Sequence, residues 1–341
     1  MALNLSMKPT GWFHIGWSGE IPAGTVKPLK YFSQDLVAFR TEDGELAVLD
    51  AFCHHLGAHL GHGGKVRGQS VACPYHGWQW GVDGQNTRIP NQDNVIRKPL
   101  RKWPVVEQHG LIFLWHDPAG GPPRAGWELP DLFSDFTELG ATQENDFYPC
   151  WPHAVVNKPG EPIHPQYVQE NACDTSHFRH THGAPFDPQL LGFRVEGTRF
   201  RSSMGFQSPR TMEIALRTYL INTGIGLSFA AFSGRTPYRL ILSGTPVDED
   251  SSHFRVSYFL PKDAASPDEM PEPMRSFAGS TDALYEEDAR MWRHMRFKHR
   301  PIYARQDIAG YTAMRKWCEQ FYEAPGYLSP RMTARMGDSR D

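Results

Sequence analysis

The chain has 341 residues, which at about 150 residues per domain indicates two domains. Forty per cent of the residues are apolar, enough for two packed cores, so a folded chain is expected rather than a disordered one. The 35 Lys and Arg residues against 38 Asp and Glu residues leave a net charge of −3, which gives no basic excess of the kind that favours binding to nucleic acid or to an anionic membrane.

The first third of the chain is typical of short β-strands joined by turns. Apolar runs at 36–39 and 46–49 flank Thr41-Glu42-Asp43-Gly44, a pattern that predicts a hairpin. A compact apolar strand is predicted at 111–115, and the Pro- and Gly-rich stretch 117–123 follows as a linker. We therefore expect a small all-β domain over 1–120 and a second domain over 121–341.

The pattern changes after the linker. A helical pattern at 166–182 precedes strand-like runs at 198–206, 212–222, 225–232, 238–244 and 252–260. A long helix is predicted at about 273–298 and a shorter one at 308–322, and the polar tail from Ser329 is expected to fray. This order predicts an α+β chain, in which the small β domain is followed by an antiparallel sheet with helices.

Histidine outnumbers cysteine 16 to 5. The odd number of cysteines and the lack of a basic-then-apolar leader in residues 1–10 argue against a disulfide framework and favour the cytoplasm. No run of 18 apolar residues predicts a membrane span. The histidine excess makes metal binding the first hypothesis to test.

Two segments of the β domain pair a cysteine with a histidine, Cys53-x-His55 and, after 17 intervening residues, Cys73-x-x-His76. Two loops that each offer one thiolate and one imidazole suit a [2Fe-2S] cluster in which one iron takes both sulfurs and the other both nitrogens, the Rieske arrangement. A structural zinc site is the alternative, but such sites usually begin with two closely spaced cysteines. His54 is expected to be a loop residue, although its role stays open.

The segment 170–182 carries three histidines within six residues, at positions 177, 180 and 182. A non-haem Fe(II) site needs two histidines and one carboxylate on one face of the metal. His177 and His182 lie about 140° apart on a regular helix, so they converge only if the helix ends between them, and Gly183 and Pro185 favour such an end. His180 competes for either position.

The carboxylate must come from elsewhere, and three consecutive acids at 286–288 are the candidates. On a helical wheel Asp288 shares an arc with Leu284, Met291, Trp292 and Met295, whereas Glu286 points away and Glu287 lies at the edge. An acid within an apolar stripe is costly unless it is paired or binds a metal, so Asp288 is our choice of ligand. The alternative is a partly buried aspartate paired with an arginine.

With both sets of residues in view, the chain resembles the oxygenase (alpha) component of Rieske non-haem iron oxygenases. The resemblance covers Cys53-x-His55, Cys73-Pro74-Tyr75-His76-Gly77-Trp78, and Asn171-x-x-Asp174-x-x-His177-x4-His182. The segments 287–292 and 315–322 are most similar to those of 3-ketosteroid 9α-hydroxylases and sterol 7-desaturases.

The resemblance implies a helix-grip (START-like) catalytic domain with mononuclear Fe(II) held by His177, His182 and Asp288. It assigns catalytic roles to Asn171 and Asp174, with Asp174 bridging electron flow from a Rieske histidine of a neighbouring subunit in a head-to-tail homotrimer. Because the chain has no dinucleotide fingerprint, electrons from NAD(P)H would arrive through a separate flavin- and ferredoxin-type reductase.

The expected activity is O2-dependent hydroxylation or desaturation of a bulky, hydrophobic, steroid-like substrate, with Phe178, Leu227, Phe229 and Phe232 as candidate pocket residues. One alternative is an oxidative demethylase or hydroxylase of an aromatic or alkaloid substrate. A second, from a different class, is a Rieske electron carrier without the mononuclear iron. Neither nucleic acid nor a membrane is an expected partner.

Overall fold

The computed structural model describes residues 5–139, 143–234 and 237–323, with the side chains of 278–280 left out. The chain divides into two compact units. The small unit is Ile15–His116, and the large unit combines the N-terminal residues up to His14 with those from Asp117 onward. The predicted polar tail from Ser329 lies outside the described residues.

The small unit is built from short strands. The strands of this part of the chain are β1 (Gly11–Trp17), β2 (Val26–Tyr31), β3 (Gln34–Arg40), β4 (Leu46–Asp50), β5 (Lys65–Arg67), β6 (Ser70–Ala72), β7 (Gln79–Gly81), β8 (Asn86–Arg88), β9 (Lys102–Trp103), β10 (Val105–Gln108) and β11 (Leu111–His116). They form sheets in the orders β2-β3-β4-β9, β5-β6-β7-β8 and β1-β11-β10.

The predicted hairpin of the small unit is confirmed. Strands β3 and β4 pair antiparallel from Leu36 opposite Asp50 to Arg40 opposite Leu46. Gly44 has φ +99°, which a residue with a side chain rarely adopts, and this allows the tight turn between the two strands. Side chains of both strands pack with Val71 and Trp80 in one core, so the two four-stranded sheets share their apolar interior.

The large unit is built on a seven-stranded antiparallel sheet in the order β12-β18-β17-β16-β15-β14-β13. Its strands are β12 (Val155–Glu161), β13 (Gln189–Glu196), β14 (Arg199–Gln207), β15 (Ile214–Thr223), β16 (Leu227–Phe232), β17 (Tyr238–Pro246) and β18 (Ser252–Phe259). Its α-helices are α1 (Pro165–Glu170), α2 (His177–His180), α3 (Glu272–Trp292) and α4 (Ile308–Glu319). The predicted α+β class is therefore confirmed.

Strands β14–β18 match the five predicted runs, whereas β12 and β13 were not predicted. β12 contains Lys158-Pro159-Gly160, which weakens a strand signal, and β13 is mostly exposed, so neither strand shows a clear apolar pattern. The predicted helix at 166–182 is two short helices, and α3 ends six residues earlier than expected. Among the described residues, no helix combines the length and the apolar character needed to cross a membrane.

Candidate metal centres and substrate cavity

Two loops of the small unit have the same backbone hydrogen bonds. In the first loop (Cys53–Ala58) the N–H of Cys53 donates to the carbonyl of Ala58 at 2.9 Å, and the N–H of Gly57 donates back to Cys53 at 3.0 Å. In the second loop (Cys73–Trp78) the corresponding bonds join Cys73 to Trp78 at 2.7 Å and Gly77 to Cys73 at 3.0 Å. Gly57 and Gly77 have φ of +74° and +71°, so each loop turns at the same relative position.

The side chains of these loops separate thiols from imidazoles. Cys53 and Cys73 are buried, while His55 and His76 are exposed, with ring centroids 4.5 Å apart. Burial raises the pKa of Cys53, whose thiol lies beside that of Cys73. Two inner sulfurs and two outer nitrogens form the donor set for a [2Fe-2S] cluster with chemically distinct irons, so these residues fit the group predicted from their spacing. His54 instead contacts the carbonyl oxygen of Pro99 through Nε2, at 3.1 Å.

A second group of ligand-type side chains lies in the large unit. Single ligand atoms of His177, His182 and Asp288 all lie within 4.8 Å of one another. Helix α2 ends at His180, and Gly183 has φ +65°, so the chain leaves the helix between the two histidines as the sequence predicted. His180 is exposed and is not a member of this group.

The hydrogen bonding of His182 indicates what the group can hold. Its Nδ1 lies 2.7 Å from Oε2 of Glu287, and its Nε2 lies 3.1 Å from Oδ1 of Asp288. If Nδ1 carries the proton donated to Glu287, Nε2 presents a lone pair to a carboxylate, and two acceptors face each other unless a proton or a cation lies between them. Two imidazoles and one carboxylate are the donor set of a non-haem Fe(II) centre, so the residues fit that metal.

Asp288 lies at the edge of the buried face of α3. The buried residues of this part of α3 are Tyr285, Ala289 and Trp292, whereas Met291 is 55% and Met295 45% exposed. The predicted apolar arc was therefore wrong for the two methionines and for Leu284, which is 49% exposed, because the large unit packs against the adjacent face of the helix. Burial raises the pKa of Asp288, and the nearby imidazoles of His182 and His177 oppose that rise.

Asn171 and Asp174 lie next to this group. The Nδ2 of Asn171 is 3.4 Å from Oδ2 of Asp288. The backbone N–H of His177 donates to Oδ1 of Asp174 at 3.3 Å, and Nδ1 of His177 is 3.5 Å from the same oxygen. Burial opposes ionisation of Asp174, but interactions with His177 and with the hydroxyl of Tyr311 outweigh it and hold the pKa of Asp174 below its ordinary value.

The three ligand-type residues open onto a cavity of about 420 Å³. Strands β14–β18 supply most of its wall, and alternate residues of β16, namely Ser228, Ala230 and Phe232, face it. The predictions of Phe178 and Phe232 as lining residues are confirmed. Leu227 and Phe229 do not line it, because they occupy the other face of β16, where both are fully buried.

The sequence did not reveal several residues that surround the site. Glu287 was placed only at the edge of the helical wheel, although its position beside the chosen ligand was a usable signal. Gln169, Asn222 and Ser228 form a buried polar group at the cavity. These three residues come from different elements, so no local pattern in the sequence connects them.

Both halves of the chain match known family models. Residues 11–104 match the Rieske [2Fe-2S] domain, and residues 114–322 match the 3-ketosteroid 9α-hydroxylase C-terminal domain. The matches and the two groups of ligand-type residues define a Rieske oxygenase, which confirms the predicted class of enzyme. Within that class, the chain belongs to the family that carries the 3-ketosteroid 9α-hydroxylase C-terminal domain.

Relatives of similar sequence are named as steroid- or sterol-oxidising enzymes. The chain is 27% identical to a probable 3-ketosteroid-9-alpha-monooxygenase oxygenase component of Rhodococcus rhodochrous, with 95% of this chain and 82% of the relative covered. It is also 27% identical to the cholesterol 7-desaturase nvd of Drosophila melanogaster, with 93% and 75% covered. These similarities extend over nearly the whole chain.

Solved structures of lower sequence identity share the fold. Dicamba monooxygenase bound to dicamba superposes with a TM-score of 0.65 at 20% identity, covering 93% of this chain and 98% of that one. The NdmA QL mutant of Pseudomonas putida CBB5 with caffeine gives 0.67 at 19% identity, covering 91% and 89%. At these identities the similarity supports the architecture alone.

Proposed function

We propose that this chain is the oxygenase component of a multicomponent monooxygenase that hydroxylates or desaturates a bulky, apolar, steroid-like substrate. The observation that carries the proposal is the position of His177, His182 and Asp288 on the wall of a largely apolar cavity. A cavity of about 420 Å³ is within the usual range for small-molecule sites. The names of the steroid- and sterol-oxidising relatives support the substrate class.

In this proposal Cys53, His55, Cys73 and His76 hold the [2Fe-2S] cluster, and His177, His182 and Asp288 hold Fe(II). The two groups would supply electron storage and O2 activation, respectively. The domain predicted over residues 1–120 is the redox domain, except that its residues up to His14 group with the large unit, and the domain predicted over 121–341 is the catalytic domain. Electrons derive from NAD(P)H through a separate flavin- and ferredoxin-type reductase, and the enzyme acts in the cytoplasm.

The chain's own residues orient the reactants and exclude water. Glu287 fixes the ring of His182, and Asn171 holds the Asp288 carboxylate from the side of α1. The apolar residues of β14–β18 enclose the substrate and limit the entry of water. Asp174, kept ionised beside His177, accepts a hydrogen bond from a Rieske histidine of the neighbouring subunit in a homotrimer.

Iron content and product formation test the proposal together. We expect three irons per chain, and hydroxylated or desaturated product from a steroid ketone supplied with O2, NADH and a generic reductase. Asp288→Ala should contain two irons, keep the visible spectrum of the cluster and lose turnover, because the metal loses its only carboxylate ligand.

Three results would contradict the proposal in different ways. Two irons in the wild-type protein would favour an electron carrier. Turnover of a methoxybenzoate in place of the steroid would favour an aromatic demethylase. Retained steroid turnover in Asp288→Ala would remove Asp288 from the ligand set.

A further inference from the structure

One part of the cavity wall is polar. Asn222 near the end of β15 and Ser228 near the start of β16 lie opposite each other in the sheet, and both line the cavity. The same cross-strand row continues with Leu242 and then Val256, which are apolar. An amide and a hydroxyl are therefore concentrated at one place in a cavity that, apart from the side with His177, His182 and Asp288, is lined mainly by hydrocarbon.

The hydrogen bonds behind this polar patch have a fixed direction. The backbone N–H of Gly226 donates to Oε1 of Gln169 at 2.9 Å, which turns the Gln169 amide so that Nε2 faces Ser228 Oγ at 3.4 Å. Ser228 in turn donates to Oδ1 of Asn222 at 2.6 Å. Because a backbone N–H can only donate, the order of donors and acceptors is set from Gly226 onward.

Asn222, the last member of this series, has an amide N–H donor without a hydrogen-bond partner among the described residues. Asn222 is fully buried, and its Nδ2 has no hydrogen-bond partner among the described residues. Rotating the amide would place Nδ2 against the Ser228 hydroxyl and leave the carbonyl oxygen unpaired instead, which the series starting at Gly226 disfavours. A buried amide N–H without an acceptor is costly, so the cavity is suited to a ligand that brings one.

We propose that Nδ2 of Asn222 donates a hydrogen bond to a ketone oxygen of the substrate and thereby sets which end of an apolar molecule enters this part of the cavity. This inference rests on the proposed function, because it assumes that the cavity binds a steroid-like substrate. It adds a polar requirement, since a molecule that is hydrocarbon at that end leaves the amide unpaired. A ketone oxygen accepts without donating, so it matches a site that offers only a donor.

Binding measurements on the holoenzyme without reductase separate recognition from turnover. The probes are a steroid with ketones at both ends, C3 and C17, and the two analogues in which one ketone is replaced by CH2. Dissociation constants are measured by equilibrium dialysis. For wild-type enzyme we expect one of the two analogues to bind about 10- to 100-fold more weakly than the diketone.

The decisive variant is Asn222→Leu, which keeps the branched shape and the number of heavy atoms of the side chain and removes the amide. We expect it to bind the diketone about 10- to 100-fold more weakly and to lose the discrimination against that analogue. The control is Thr218→Val, which removes a hydroxyl from the same strand and the same cavity. It should change all three affinities by a similar factor and so preserve the discrimination.

Each outcome has a definite meaning. Equal binding of the three probes by wild-type enzyme, or unchanged discrimination in Asn222→Leu, would overturn the role of Asn222 and leave the proposed function standing. If wild-type enzyme binds none of the probes, the steroid-like substrate class fails and the Asn222 assignment fails with it. If Asn222→Leu does not fold, Ser228→Ala replaces it, because an amide without its fixed orientation should lose most of the discrimination.

Discussion

At the scale of single residues, His182 is held between two acids that are adjacent in sequence. Glu287 lies 2.7 Å from Nδ1, and Asp288 lies 3.1 Å from Nε2. Successive helical residues point about 100° apart, so the two carboxylates reach opposite sides of one ring. The carboxylate on Nδ1 fixes the tautomer and the orientation in which Nε2 can bind a metal.

We predict that Glu287→Ala lowers the affinity for the mononuclear iron about 10- to 100-fold, because His182 loses the group that orients it. Iron retention is measured by titration with a chelator, and the cluster spectrum should stay unchanged. Glu286→Ala is the matched control, since Glu286 pairs with Lys158 and Arg293 on another side of α3. Equal iron loss in both variants would contradict an orienting role for Glu287.

At the scale of secondary-structure elements, the turn between β15 and β16 contains two glycines with similar backbone angles. Gly224 has φ +75° and Gly226 has φ +77°. A Cβ on Gly224 would meet nothing within 4 Å, whereas a Cβ on Gly226 would collide with the carbonyl oxygen of Gly244 and with Pro165. A comparison of substitutions at these two glycines therefore separates the cost of the left-handed backbone conformation from the cost of a side-chain clash.

We predict that Gly224→Ala lowers the free energy of unfolding by about 1–2 kcal/mol, the cost of the left-handed conformation for a residue with a side chain. Gly226→Ala should lose the same amount and about 1–3 kcal/mol more, because the sheet and α1 must also move apart. Thermal unfolding followed by circular dichroism measures both. Equal losses in the two variants would show that contact with Gly244 and Pro165 has no effect.

The start of α1 depends on a buried neutral imidazole. Nδ1 of His164 accepts the N–H of Gln166 at 3.1 Å, and Nε2 donates to the carbonyl of Ser6 at 3.0 Å. Burial lowers the pKa of His164 from 6.5 to about 4, and the carbonyl of Ser6 only partly opposes the change. The unfolded chain therefore binds a proton at a pH where the folded chain does not.

This difference predicts a pH-dependent contribution to stability. Above pH 6.5 His164 is neutral in both states and does not reduce the free energy of unfolding. As the pH falls from 6.5 toward 4, protonation of His164 in the unfolded chain lowers the free energy of unfolding by about 3 kcal/mol in all. His164→Asn keeps a capping oxygen without a titrating group, so its unfolding free energy should fall less over this interval. Urea unfolding at a series of pH values tests the difference, and parallel profiles for the two proteins would exclude His164 as the cause.

Much of the fold and part of the site could be predicted from local patterns. The β3–β4 hairpin was predictable because its turn residues lie between two apolar runs, and the convergence of His177 and His182 followed from the helix end that Gly183 provides. The series from Gly226 to Asn222 could not be predicted, because it depends on how β15, β16 and α1 pack. The same holds for the face of α3 that is buried, which neighbouring elements decide.

At the scale of the whole molecule, the two groups of ligand-type residues belong to different compact units of one chain. The proposed homotrimer pairs the cluster of one subunit with the iron of its neighbour. In this arrangement each active site is completed by a second copy of the chain. A subunit that lacks the cluster can then still receive electrons at its iron from a neighbour's cluster. A subunit that lacks the iron can still supply electrons to a neighbour's iron.

We predict that two inactive variants restore activity when they are assembled together. Cys73→Ser should lack the cluster, and Asp288→Ala should lack the mononuclear iron. Random co-assembly of equal amounts places a complete pair at about one quarter of the interfaces, so about one quarter of wild-type turnover is expected. The control mixes the separately assembled variants. No recovery after co-assembly would indicate that electrons pass within one chain.

The series of hydrogen bonds from Gly226 has a consequence for how new specificities arise in this enzyme. The outline of the cavity depends on replaceable side chains such as Met204, Leu240 and Val256. The proposed preference for an acceptor oxygen depends instead on an amide orientation that starts from a backbone N–H, which no substitution other than proline removes. If the proposal is correct, substrate shape and substrate polarity are set by different residues, and mutation can reshape the hydrocarbon wall while Gln169, Ser228 and Asn222 keep the preference for a ketone.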